Sequence, residues 1–91
     1  MIELKKCRDK IDALDREILR LFEERMHVVK KVAGIKKANG IGIYDSSRED
    51  ELVAAIKKMS EDGLSEYDEA LFEKIMELSK LYQSRCLEDK L

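Results

Sequence analysis

One positively charged side chain interrupts the apolar face of the first predicted helix. Apolar residues recur on this face at alternating steps of three and four, at Leu4, Cys7, Ile11, Leu14, Ile18, Leu21, Val28, Val32 and Ile35. The four-residue step after Leu21 falls on Arg25, whose guanidinium is always charged in proteins. Because burying an unpaired charge is costly, an anion must meet Arg25, either a carboxylate of the protein or a ligand.

A second cation follows on nearly the same face. Lys36 comes eleven residues after Arg25, which places it about 20° off the same helical face and roughly 16 Å further along the axis. Val29 and Val32 lie on the face between them. Two long cationic side chains that flank an apolar floor suit a small anionic ligand lying between them.

Polar residues also accompany the apolar faces of the later predicted helices. Arg48 and Glu49 lie about one turn before Leu52. Ser79 and Gln83 are one turn apart, beside the apolar stripe of the last helix. The set is cationic, with one carboxylate and two neutral donors, and it indicates anion binding. The sequence offers no Ser/His/Asp set, no metal-ligand cluster and no convincing nucleophile, so we expect no metal.

Each of these residues, taken alone, has an ordinary structural explanation. Arg25 can form a buried ion pair with Glu49 or another acid. Lys36 near a helix C-terminus is favourable to the helix dipole. Ser79 and Gln83 alone are compatible with positions that face solvent. The anion-binding interpretation therefore rests on the set as a whole.

Three helices must position these residues. The first is predicted over about residues 2–38, because its apolar pattern does not slip and the pair Asn39-Gly40 is a common helix stop. A short loop is expected over about residues 39–45. The chain is thus predicted to be all-α, with a long, a short and a medium helix.

The second and third helices are delimited by capping residues and glycine. Ser46 followed by Glu49 is typical of a capping box and predicts a helix over about residues 47–61. Gly63 ends it, and a third helix is expected over about residues 65–87. Residues 1–91 are expected to form a single domain.

The length of the chain predicts a homodimer. It has 91 residues, 44% hydrophobic and 42% charged, with no proline. A first helix of this size would be roughly 55 Å long. The remaining residues are too few to cover both halves of such a rod, so we expect a second copy to cover the rest, most simply in a two-fold dimer.

Charge and cysteine usage exclude several classes of function. The net charge of −2, with both signs interspersed, argues against nucleic-acid binding. No signal-peptide core and no membrane-spanning run occurs, so a cytoplasmic location is expected. Cys7 and Cys86 lack metal spacing and are expected to be reduced packing residues. His27, a lone histidine, is expected at the surface.

The ordered polar residues resemble those of a known family, the all-helical chorismate mutases. The likeness covers nearly the whole chain and includes residues 8–15 (RDKIDALD), 21–25 (LFEER) and 44–49 (YDSSRE). The polar positions in register are Arg8, Arg25, Lys36, Asp45, Arg48, Glu49, Ser79 and Gln83. The resemblance implies an intertwined homodimer with two equivalent active sites that rearranges chorismate to prephenate without a cofactor.

The resemblance also implies a role for each polar residue. Arg25 would bind one substrate carboxylate and Arg8 from the other subunit the second. Arg48 and Ser79 would complete the anion-binding shell.

The remaining roles concern the reacting atoms and the ring hydroxyl. Lys36 and Gln83 would donate hydrogen bonds to the ether oxygen that leaves carbon. Glu49 and the backbone near Asp45 would hold the ring hydroxyl of the substrate.

Helix geometry agrees with a site shared between subunits. Arg8 and Arg25 are seventeen residues apart, or roughly 25 Å along one helix, and cannot grip one small molecule from the same subunit. Two alternatives stay open. An isochorismate pyruvate lyase uses the same helical scaffold, although Glu49 favours the mutase. A non-catalytic helical dimerisation module would use Arg25 only as a buried ion pair.

Overall fold

The computed structural model describes residues 1–89, and these residues form three α-helices. The helices are α1 (Ile2–Ala38), α2 (Ser46–Met59) and α3 (Ser65–Asp89). No strand occurs within the described residues, which confirms the predicted all-α class. The longest dimension of the molecule is 56 Å, which equals the length expected for the 37 residues of α1.

Helix α3 holds the structure together. It packs against both α1 and α2, whereas α1 and α2 do not pack against each other. The small core consists of apolar side chains from all three helices, namely Val29, Ala33, Ile56, Met76 and Cys86. Because both core residues of α1 lie in its C-terminal half, α3 covers only that half.

The N-terminal half of α1 has no covering element within residues 1–89. Every residue from Met1 to Leu21 is exposed. The apolar residues that recur there form a continuous stripe, which we call the N-terminal seam: Leu4, Cys7, Ile11, Leu14, Ile18 and Leu21. Ile18, for example, is 60% exposed. Such a long apolar stripe on an isolated helix is typical of a surface that another chain covers.

The start of α2 differs from the predicted capping box. Asp45, not Ser46, is the N-cap, and its Oδ1 accepts a hydrogen bond of 3.0 Å from the Arg48 backbone N–H. Ser46 is the first helical residue. The Glu49 side chain does not return to the helix start but forms an ion pair with Lys80. The capping-box prediction was therefore wrong, because Asp45 satisfies the free N–H first.

The end of α2 also lies earlier than predicted. The helix ends at Met59 instead of residue 61. The helix ends there because Ser60 adopts an extended backbone, with ψ 144°; its N–H (2.9 Å) and its Oγ (2.7 Å) both donate to the Ile56 carbonyl and cap the last turn. Gly63, with φ +85°, then turns the chain towards α3.

The two cysteines differ in exposure. Cys86 is buried, whereas Cys7 is exposed on the N-terminal seam, so the expected packing role is met only by Cys86 within one chain. Both are free thiols.

Among residues 1–89 we find no helix long and apolar enough to cross a membrane.

Candidate active site

A cavity of about 380 Å³ opens between the C-terminal half of α1, the start of α2 and the middle of α3. Its apolar lining comes from Val28, Val29, Val32, Ile43, Leu52 and Met76. Its polar lining includes all but one of the predicted site residues, namely Arg25, Lys36, Asp45, Arg48, Glu49, Ser79 and Gln83. The structure thus brings together residues from three helices that are as far apart as 58 positions (83 − 25) in the sequence.

Arg25 meets a neutral partner on the cavity wall. Its Nη1 donates to Ser79 Oγ at 2.6 Å, and Ser79 Oγ donates in turn to the Ile75 carbonyl at 2.7 Å. Burial lowers the pKa of Arg25, and the nearby charge of Arg48 lowers it further. No carboxylate of residues 1–88 forms an ion pair with Arg25. The structural alternative, an Arg25–Glu49 ion pair, is therefore not formed.

Lys36 and Gln83 both have hydrogen-bonding capacity left for a ligand. Lys36 Nζ donates to the Ile43 carbonyl at 2.8 Å, which uses one of the three N–H groups of the ammonium. Gln83 is 6% exposed, and its Oε1 has no hydrogen-bond partner among the described residues. A buried acceptor without a hydrogen bond is unfavourable. Both side chains line the cavity, so a ligand there can accept a hydrogen bond from Lys36 and donate one to Gln83 Oε1.

Glu49 pairs with a residue that the sequence patterns did not single out. Lys80 Nζ lies 2.9 Å from Glu49 Oε2 and 5.1 Å from the centroid of the Tyr44 ring. Lys80 also lines the cavity. The available signal was its position three residues before Gln83, because residues three apart are neighbours on one helix face.

Arg48 and Asp45 line the cavity near the start of α2. Arg48 Nη1 donates to Glu51 Oε1 at 2.8 Å, and both side chains are exposed. Asp45 caps α2, so its side chain already has a structural function. Glu51 occupies only Nη1 of Arg48, so the other N–H groups of the guanidinium are available for the expected contribution to anion binding.

Arg8 is the one predicted site residue that the structure does not bring to the cavity. It is exposed on the N-terminal half of α1. A straight helix puts it roughly 25 Å from Arg25. The cavity of a single chain therefore lacks one member of the predicted set, Arg8.

The charges of the cavity suit a dianion. Four cationic residues line it (Arg25, Lys36, Arg48 and Lys80), against two acidic ones (Asp45 and Glu49), a net charge of +2. The described residues hold no group of three or more His, Cys, Asp or Glu that could bind a metal ion. The arrangement can bind and orient a small anion and donate hydrogen bonds to it.

Comparison with known proteins identifies the family. Residues 7–84 match the family model for chorismate mutase type II. The chain belongs to this family. It is accordingly an isomerase, with chorismate mutase function in aromatic amino-acid biosynthesis.

Individual relatives support the assignment. The chorismate mutase of Methanocaldococcus jannaschii is 37% identical over 94 residues, which cover 98% of this chain and 93% of that protein. The bifunctional chorismate mutase/prephenate dehydratase of Aquifex aeolicus is 37% identical over 62 residues, or 68% of this chain and 17% of that protein. The T-protein of Haemophilus influenzae is 43% identical over 49 residues, or 54% of this chain and 13% of that protein.

Because Arg25 has no anionic partner among the described residues, its half-buried charge destabilises the folded chain when no ligand is bound. We expect Arg25→Leu to raise the free energy of unfolding by about 1 kcal/mol, because it removes a half-buried charge whose hydrogen-bond partner among the described residues is the neutral Ser79 hydroxyl. Urea unfolding at a fixed chain concentration measures the change. Arg20→Leu is the control, since Arg20 is exposed and pairs with Glu17 and Glu24; it should not stabilise. A clear loss of stability in Arg25→Leu would contradict this account.

Proposed function

We propose that this chain rearranges chorismate to prephenate in active sites that two copies build jointly. One observation supports the proposal above the others. The cavity gathers every predicted site residue except Arg8, and Arg8 lies on the half of α1 that nothing in residues 1–89 of one chain covers. The single domain of residues 1–91 would then form an intertwined homodimer, and its function in amino-acid biosynthesis favours a cytoplasmic location.

The reaction is intramolecular, which matches what the cavity offers. The ether C–O bond breaks as a new C–C bond forms within the same molecule, and no proton or hydride is transferred to the protein. The protein must hold a flexible dianion in its compact reactive conformation. It must also stabilise the negative charge that gathers on the ether oxygen as the bond breaks. Neither task requires a cofactor or a nucleophile.

Arg25 is suited to bind one carboxylate of the substrate. Ser79 fixes one end of its guanidinium, and the remaining N–H groups can make the paired hydrogen bonds that arginine forms with carboxylates. Arg48 adds positive charge at the same end. The second carboxylate of the substrate would be bound by Arg8 of the partner subunit.

Lys36 and Gln83 are suited to the ether oxygen. Lys36 keeps N–H groups free for a ligand and is fixed by the Ile43 carbonyl. Gln83 is fixed by burial, and its Nε2 amide N–H would be the donor, since its Oε1 can only accept a hydrogen bond. Because these donors are already in place, they need no rearrangement when charge develops. Glu49 and the backbone near Asp45 would then hold the ring hydroxyl.

The same geometry supports a dimer. The N-terminal seam is apolar and exposed, and two copies that cross along it would bury it in both chains. A two-fold axis through this region would carry Arg8 of each chain towards the cavity of the other. Packing and site completion thus require the same partner.

Purified protein should consume chorismate and form prephenate without releasing pyruvate. Arg25→Ala and Lys36→Ala should each lower kcat/KM by about 10²–10³-fold, the cost of losing a preorganised charge-stabilising donor. The measurement is loss of chorismate absorbance with pyruvate assayed in the same sample. Lys37→Ala is the control for Lys36, since Lys37 is its exposed neighbour.

The outcomes separate the alternatives. Pyruvate release from isochorismate would mark the chain as a lyase. Near-normal turnover in Arg25→Ala or Lys36→Ala would refute the site. Inertness towards both substrates would leave the non-catalytic helical module.

A shared site predicts that two inactive variants restore each other. Arg8→Ala and Arg25→Ala are each expected to be inactive as homodimers. In a mixed dimer one site has lost both arginines and the other has lost neither. Random exchange of equal amounts should therefore restore about a quarter of wild-type activity.

The experiment unfolds the two variants together in urea, refolds them and measures activity. Each variant refolded alone is the control and should stay inactive. Mixtures that stay inactive, although size-exclusion chromatography shows dimers, would contradict a site built from two chains.

The amide of Gln83 predicts a flat pH profile. An amide donates a hydrogen bond at every pH used, and the single histidine, His27, is exposed and outside the cavity. We expect kcat/KM to change little between about pH 6 and 8. Gln83→Glu should instead gain activity as the pH falls, because only a protonated carboxyl can donate. A steep change in the wild-type profile over this range would contradict the assignment of Gln83.

A further inference from the structure

Lys80 lies in the cavity, but the reaction outlined above gives it no task. Its ammonium is on α3 and its partner carboxylate, Glu49, is on α2. The side chains are 37% and 26% exposed, so both are partly withdrawn from solvent. An ion pair in this setting is screened less than one at the surface.

This ion pair differs from the others in the described residues. Most of them join residues three or four apart on one helix. Two join α2 to α3, namely Lys57–Glu69 at 3.6 Å and Lys80–Glu49 at 2.9 Å. Only the second lines the cavity. Lys57–Glu69 therefore provides a matched comparison with the same helix pair and no part in the site.

Lys80 is itself held from a second side. Its Nζ lies 5.1 Å from the centroid of the Tyr44 ring, within the range of a cation–π contact. Tyr44 belongs to the segment that joins α1 to α2. The ammonium is thus fixed between this segment and α2, and it can fix a carboxylate in turn.

Glu49 needs such a restraint, because it is an acid in a cavity that must bind an anion. Arg25 lines the same cavity and has no carboxylate partner within residues 1–88. A mobile Glu49 would be attracted to this guanidinium and would compete there with the substrate carboxylate. Lys80 holds the Oε2 atom of Glu49, which leaves Oε1 as the acceptor for a ligand.

We propose that Lys80 is a positioning residue: it holds Glu49 against α3, where Oε1 accepts the ring hydroxyl of the substrate, and keeps Glu49 away from Arg25. This inference rests on the proposed function, since it assigns a task to the acid of that site. It adds a specificity determinant, because a fixed acceptor favours a substrate whose hydroxyl reaches Oε1.

The test combines Lys80→Met with Glu49→Gln. Lys80→Met should lower kcat/KM by between about 10- and 100-fold, as expected when a site group loses its orientation. Part of this loss should be a rise in KM, because the freed carboxylate competes for Arg25. In the Glu49→Gln background, Lys80→Met should cause no further loss, because there is no carboxylate left to hold. Lys80→Arg should retain much of the wild-type activity.

Controls separate positioning from stability. Lys57→Met removes the other α2–α3 ion pair and should leave kcat/KM unchanged. Thermal unfolding of each variant shows whether it is folded, and Lys80→Gln replaces Lys80→Met if the latter is not.

Two results would overturn the inference: wild-type kcat/KM in Lys80→Met, or an equal loss with and without Glu49. If Glu49→Gln is impaired and Lys80→Met is not, the proposed function stands and the task of Lys80 is refuted. A wild-type protein inert towards chorismate refutes both.

Discussion

A half-buried guanidinium without an anionic partner among residues 1–88 is the constraint on which the rest of the structure depends. Arg25 occupies a position where the sequence pattern calls for an apolar residue, and its bonded partner there is the Ser79 hydroxyl. Burial lowers its pKa, but an arginine remains charged. The neighbouring residues leave this charge without a counter-charge. The Ser79 hydroxyl donates its hydrogen to the Ile75 carbonyl, and the Glu49 carboxylate forms an ion pair with Lys80. The cavity is thereby prepared to bind an anion.

Helix α3 makes this arrangement possible, because it alone of the three helices contacts both of the others. It carries Ser79, Lys80 and Gln83 within about one turn, and these face α1 and α2 together. The binding cavity is consequently the gap that remains where α1 and α2 fail to meet. The same few apolar residues that pack α3, such as Met76, also form the cavity wall. Stability and site geometry cannot be changed independently in so small a core.

Much of this could be predicted from the sequence, since helix periodicity places residues on faces reliably. The regular apolar pattern of α1, and the polar positions that break it, were enough to predict an anion site. The errors have physical causes. Asp45 and Ser46 are both good caps, and spacing alone does not choose between them. The partners of Glu49 and Arg25 depend on distances between helices, which periodicity does not contain. Lys80 carried only a weak signal, because it is one of 18 cationic residues.

The exposed N-terminal seam bears on how the activity in a cell depends on the number of chains. A chain that leaves half of its longest helix uncovered exposes an apolar surface, which a second copy would cover in the proposed dimer. With a site completed only in the pair, the amount of working enzyme at low abundance would rise with the square of the number of chains rather than in proportion to it. Expression level would then act as a threshold: a cell that makes few copies would have disproportionately little flux, without any inhibitor being involved.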